Sequence, residues 1–218
     1  LKTQISYILG RDFGATGYLN FQNWSDKNRY CRYYLNYKEK DFLKKLNILE
    51  FESKNRIILE HKKKFLGDLP VWLSINLLTL GDIVDIYTLM NQKYRREIAA
   101  NHELDLDQFE TWIKNIRLVR NLSAHNSNII DVEFTTKPKI KEQKLLDKLF
   151  FYDEAKNLTT NKIALTIVIM EFIVFKINPD FPGAGINKAL KRICKNRTDE
   201  EAQKLGFKNF KTIDELTI

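Results

Sequence analysis

The sequence predicts an all-α protein. Only 8 Gly and 4 Pro occur in 218 residues, too few for an architecture rich in turns. Apolar residues recur at helical spacing over most of the chain. Hydrophobic residues make up 44% and charged residues 29%, which is a globular composition and argues against disorder. That length allows one large domain or two small ones sharing a core. No internal repeat or low-complexity linker is visible, so residues 1–218 are expected to form a single compact helical domain.

In chain order, Leu1 to Gly10 reads as the end of a helix, with Gly10 and Gly14 as stop signals. The first residue is not Met, and an absent N-terminal portion is expected. Asp12 to Asn28 reads as loop with short turns. Lys38 to Lys64 carries apolar residues at helical spacing, and His61-Lys62-Lys63-Lys64 puts cations at the negative end of the helix dipole. Pro70 permits a new helix in its first turn. Trp72, Leu73, Ile75, Leu77, Leu78 and Leu80 are apolar enough to expect a central core segment. Gly81-Asp82 punctuates, Asp82 can cap the helix through Ile83 and Tyr87, and Tyr94 to Ala100 follows as a short helix.

Asp105 or Asp107 can cap the helix from Gln108 to His125. Ile130 to Lys144 alternates imperfectly, and a short hairpin near 130–142 or an extended loop fits. Helical spacing returns from Lys144 to Ile177. Pro179 to Gly185 reads as a turn, and Asn187 to Lys195 and Thr198 to Leu205 as short helices.

The net charge is +8 and the sequence pI about 9.3. Such an excess favours a polyanionic partner, nucleic acid first and an acidic membrane less often. Cys31 and Cys194 lie in no metal-ligand spacing and read as free thiols of a reducing compartment. No secretory signal opens the chain. The longest apolar run, Ile163 to Phe175, falls short of the ~20 residues that span a bilayer. A cytoplasmic protein without a membrane partner, metal or other cofactor is expected.

The chemistry concentrates in Trp112 to His125. At roughly 100° per residue, Trp112, Ile116, Leu118, Val119, Leu122 and Ser123 share a broad face, and Arg117, Arg120, Asn121, Ala124 and His125 the other. Arginine is a fixed fork of donors matched to phosphate oxygens. Histidine titrates near neutrality and can move a proton to or from a ribose hydroxyl. Asn121 can orient the imidazole or donate to phosphate.

The Arg-x4-His spacing from Arg120 to His125 is weak by itself. Arg56 and His61 show it too, and His102 follows Arg95 and Arg96 at similar distances. Context separates them: Asn121 follows Arg120, whereas Ile57 follows Arg56.

The surrounding words resemble a known family. Leu118 to Asn126 resembles the "LRNxxAHH" box of the Abi-like (abortive-infection) proteins. Pro70-Val71-Trp72 through Gly81 to Tyr87 resembles their "PxWxxxExxxxG…LY" segment. His61 to Phe65 resembles "HYKxKY", and Leu205-Gly206-Phe207 their closing Gly-Phe-Pro element. The boxes also agree in order and separation.

This resemblance implies a HEPN-like helical bundle with additional helices, a HEPN motif at 117–125, and a homodimer that joins two motifs across a cleft. It implies metal-independent cleavage of RNA by 2′-hydroxyl attack, with His125 as acid/base, Arg120 on the phosphate, Asn121 orienting and Arg117 assisting. In a straight helix Arg120 and His125 diverge by roughly 140°, which two protomers or a distorted last turn would resolve. The setting would be phage defence or a toxin–antitoxin pair, with an RNA or protein antitoxin as partner. Asn76, Asn126 and Asn128 depart from the family pattern, where an acid, a second His and an Arg are expected.

Other readings stand beside this one. Lys62, Lys63, Lys64, Arg95 and Arg96 are candidate RNA-backbone contacts, or solvated helix ends. Trp72 and Trp112 read as core aromatics. Tyr30, Tyr33, Tyr34 and Tyr37 could stack bases, although core or dimer packing is the expected use. The chain as a whole could be a non-catalytic RNA-binding module or a helical protein-interaction domain.

Overall fold

Side-chain caps and apolar stripes set most of the helix limits. In the computed structural model, residues 1–65, 67–130, 132–153, 158–181 and 185–217 are described. Helices take 64% of the chain, so the all-α expectation is met. The chain groups into two compact units, Leu1–Leu106 and Asp107–Ile218.

In the first unit, α1 spans Lys2–Phe13 and a 3-10 turn Gly17–Leu19 leads into α2, Phe21–Trp24. The stretch expected as loop is therefore partly helical, and it buries Tyr18, Phe21 and Trp24. The long helix expected from Lys38 to Lys64 is two helices, α3 (Arg32–Glu52) and α4 (Arg56–Lys64). Asn55 ends the interruption by accepting the Ile57 N–H.

α5 spans Val71–Leu77, α6 Leu80–Leu89 and α7 Gln92–Ala100. α5 buries Val71, Ser74, Ile75 and the following Leu78, which share one face. Trp72 falls off that stripe and is 53% exposed, so its reading as a core aromatic is corrected. Thr79, not Asp82, is the cap of α6. Asp82 sits at the third helical position and completes a capping box, accepting the Thr79 N–H at 2.9 Å.

An inward-facing ion pair closes this unit. Asp26 and Arg95 are both buried and meet at 3.0 Å. Arg95 also donates from Nε to the Met90 carbonyl at 2.9 Å, and the backbone of Asp26 bonds that of Leu89 at 2.8 Å.

The second unit opens with α8, whose full span is Leu106–Ala124. It continues through α9 (Gln143–Leu146), strands β1 (Phe151–Asp153) and β2 (Leu158–Thr159), α10 (Ile163–Ile177), α11 (Gly185–Ile193), α12 (Asp199–Leu205) and α13 (Phe210–Asp214). The two strands pair antiparallel. The antiparallel strand pair thus lies at 151–153 and 158–159, not near 130–142. Residues 182–184 of the expected Pro179–Gly185 turn lie outside the described residues.

Residues 132–142 of the segment expected as a hairpin form an extended strap tied to α8 by side chains. Trp112 Nε1 donates to the Lys139 carbonyl at 2.7 Å, and the Lys139 N–H donates to Thr111 Oγ1 at 3.0 Å. Gln108 reaches the Glu142 carboxylate at 3.0 Å. The two bonds at Lys139 satisfy backbone groups that a second strand would otherwise satisfy. α10 is buried through Ile169, and its buried Glu171 pairs with Lys148 and accepts from Thr217.

α12 ends at Gly206, with φ +96°, where a Cβ would overlap the Thr160 side chain. A Gly206→Ala substitution combines strain with overlap and should lower stability by about 2 kcal/mol or more. Replacing Asp26 by Ala leaves the Arg95 guanidinium buried without its carboxylate, at a cost of about 3–5 kcal/mol. Urea unfolding of each variant measures both losses.

Candidate nuclease site at the end of α8

α8 turns one stripe inward: Gln108, Trp112, Asn115 and Val119 are buried at successive helical turns. Asn115 is fully buried, yet both ends of its amide are satisfied. Its Nδ2 donates to Thr136 Oγ1 at 2.9 Å, and its Oδ1 accepts from Thr166 Oγ1 at 2.8 Å. Trp112 meets the edge of Phe172 at 5.5 Å between centroids. These contacts set the helix rotation, and that rotation leaves Arg120 exposed and Arg117 and Asn121 half-buried.

The Arg120 Nη1 donates to Asn121 Oδ1 at 3.2 Å. Asn121 in turn stands one helical turn before His125, whose N–H bonds the Asn121 carbonyl at 3.1 Å. Asn121 therefore holds the guanidinium with its side chain and the His125 backbone with its carbonyl. His125 is exposed, as proton transfer to a large substrate requires.

The helix stops at His125 for a local reason. Asn126 takes φ +53°. Its N–H bonds the Ser123 carbonyl at 3.2 Å, and the Ser127 N–H bonds the Leu122 carbonyl at 2.9 Å. This is a Schellman stop with asparagine in the left-handed position, a residue that tolerates it. The His125 N–H is shared between the Asn121 and Leu122 carbonyls, at 3.1 and 3.2 Å. The last turn is therefore tightened, not straight.

Beyond the stop, Ile129 and Ile130 line an apolar cavity of about 270 Å³ with Val119, Ile163, Ile167 and Leu190. The polar triad lies outside that cavity, on the surface.

The other candidate RNA contacts belong to the first unit. Lys63 and Lys64 are exposed at the end of α4, and Lys62 lies 3.7 Å from Glu50. His61 packs at a tilt against Phe65, with 4.9 Å between ring centroids. Arg96 is exposed. Arg95 points inward to Asp26 and offers no surface cation, contrary to the sequence expectation. Two features escaped sequence reasoning. The left-handed role of Asn126 was signalled only by the Asn-Ser-Asn run, and the outward tyrosines of α3 were expected to pack.

Comparison with known protein families matches residues 1–131 to the family described as Abi-like protein. The match covers more than half of the 218 residues and runs through His125. The chain belongs to the Abi-like protein family. No curated protein and no solved structure matches it. Membership suggests a role in abortive-infection defence against phage. Among the described residues of this Abi-like chain, no helix is long and apolar enough to cross a membrane.

The stop at Asn126 generates a prediction. Asn126→Gly keeps the left-handed conformation and should leave both melting temperature and site geometry intact. Asn126→Val forces a β-branched residue into it and should cost about 1–3 kcal/mol. Thermal unfolding of the two variants measures the difference.

Proposed function

We propose that this Abi-like chain is an endoribonuclease, with its reacting groups at Arg120, Asn121 and His125. The observation that carries this reading is the polar set at the end of α8, with Arg120 and His125 exposed, in which Arg120 bonds the half-buried Asn121 and Asn121 stands one turn from His125. Its position inside the matched family region supports the reading. So does its location on an open surface outside the neighbouring apolar cavity, which suits a polymer better than an enclosed small molecule.

In this mechanism an imidazole takes the proton of a ribose 2′-hydroxyl. The freed oxygen attacks the adjacent phosphorus, the bond from phosphorus to the 5′-oxygen breaks, and that oxygen receives a proton. The products are a 2′,3′-cyclic phosphate and a 5′-hydroxyl. Arg120 faces the phosphate, where charge accumulates in the transition state. Asn121 holds the guanidinium, and Arg117 adds a second cation from the preceding turn. The reaction needs one proton removed and one delivered, and a single imidazole can do each in turn. A homodimer presenting two copies of His125 to one phosphate divides the two tasks. A growth-arresting nuclease of this kind is kept in check by an RNA or protein partner.

Purified protein should cut single-stranded RNA in EDTA and leave cyclic phosphate ends. His125→Ala should lower the rate by about 10²–10⁴, and Arg120→Ala by about 10²–10³, with helical circular dichroism unchanged. Undiminished cutting by the His125→Ala protein rules the mechanism out.

A further inference from the structure

The first unit carries a surface that the cleavage mechanism does not use. Between residues 27 and 40 stand four tyrosines, Tyr30, Tyr33, Tyr34 and Tyr37. Five cations (Lys27, Arg29, Arg32, Lys38 and Lys40) and one acid, Glu39, are interleaved with them. Aromatics at that density usually close a core. Here α3 buries Leu35 and Leu46 instead, and Tyr33, Tyr34 and Tyr37 remain 84%, 37% and 58% exposed.

The rings are ordered. Tyr30 stacks on Tyr34 at 5.3 Å with 22° between planes, and its hydroxyl donates to the Thr88 carbonyl at 3.4 Å. The Arg29 guanidinium lies over Tyr30 at 5.4 Å and the Lys38 ammonium over Tyr34 at 5.7 Å. The result is a column of cation, ring, ring and cation. Tyr33 and Tyr37 form a second row beside it at i,i+4 spacing.

Cations outnumber acids around these rings, and the acids gather on the Lys38 side, where Asp41 and Asp85 line a small cavity with it. The Glu39 carboxylate accepts the Phe21 N–H at 2.6 Å and so serves the fold. Arg29 also lines a polar cavity of about 460 Å³ with Lys93 and Arg96. The acid of that cavity, Asp26, is already paired with Arg95.

We infer that this face of the first unit binds single-stranded RNA. Tyr33 and Tyr37 stack unpaired bases, while Arg29, Arg32, Lys38 and Lys40 meet the phosphates. Exposed π-faces paired with cations match a strand whose bases are free. A duplex hides its base faces, and its phosphates alone would not need the rings. A second copy of the same face would bring like charges together, which opposes self-association. The inference rests on RNA being the ligand of this protein, and not on the cleavage step at α8.

Binding is measured by fluorescence anisotropy on the full chain carrying His125→Ala, with a labelled oligouridylate as probe and an RNA duplex as competitor. Replacing Tyr33 and Tyr37 together by Ala should weaken binding of the oligouridylate by about tenfold or more. Replacing both by Phe, which keeps the stacking faces, should preserve it. Light scattering of each variant reports its oligomeric state.

Unchanged affinity in the Ala pair overturns the inference, as does a duplex that competes as well as the single strand. Conversion of a dimer to a monomer by the Ala pair also overturns it, because the face is then a self-association surface. The two readings fail separately. A protein that never cuts RNA yet binds through these rings loses only the nuclease assignment. One that cuts RNA with binding indifferent to the rings loses only this surface.

Discussion

The burial of Asn115 is the constraint on which the candidate site depends. An amide taken out of water needs partners on both ends, and leaving one unmet costs about 1–3 kcal/mol. Thr136 and Thr166 supply them from the strap and from α10, at 2.9 and 2.8 Å. Hydrophobic packing by Trp112 and Val119 alone would tolerate some rotation of α8, because apolar contact is not directional. The amide does not tolerate it. Once Asn115 faces inward, the positions of Arg117, Arg120 and Asn121 around the helix follow from its pitch.

The end of the helix is controlled with equal economy. Without a left-handed residue at 126, a further turn would carry the chain on and surround His125 with helix surface. The Schellman stop makes His125 the last residue to share the helix bonding, with the backbone turning away behind it. The carbonyls of Leu122 and Ser123, which a helix terminus leaves without partners, are used by that turn. Position of the imidazole is thus a backbone property, set by a neighbour that performs no chemistry in the proposed reaction.

Much of this was legible in the sequence, and the rest failed for identifiable reasons. Helical class and the span of α8 followed from periodicity, which long amphipathic segments display strongly; its faces did so only in part, because Asn115 is buried and Ser123, expected on the apolar face, is exposed. The strap at 132–142 alternates like a strand, but alternation reports a half-buried extended chain and not its bonding partner. Its partners are Trp112, Thr111 and Gln108, whose side chains no pattern assigns in advance. Trp72 was misplaced because α5 is short: among so many apolar residues, a stripe of four positions does not reveal which ones face out. Arg95 and Arg96 are adjacent in sequence, yet one is enclosed with Asp26 and the other exposed. Composition counts both as basic surface. Only the fold separates them.

The family departures gain a physical meaning from the same bonds. Asn76 donates back to the Trp72 carbonyl at 2.9 Å, and Asn128 accepts the Ile130 N–H at 3.0 Å. Asn126 supplies the left-handed stop. Each asparagine serves its own backbone, where the family pattern places a group able to carry charge or a proton. Within one copy of the chain the α8 motif therefore holds a single imidazole, and Asn126 offers no proton carrier in place of a second His. A reaction that removes one proton and delivers another must then reuse His125 or draw on a second copy. In the proposed cleavage, the asparagine that gives α8 a stable end is also the residue that leaves the motif with one imidazole.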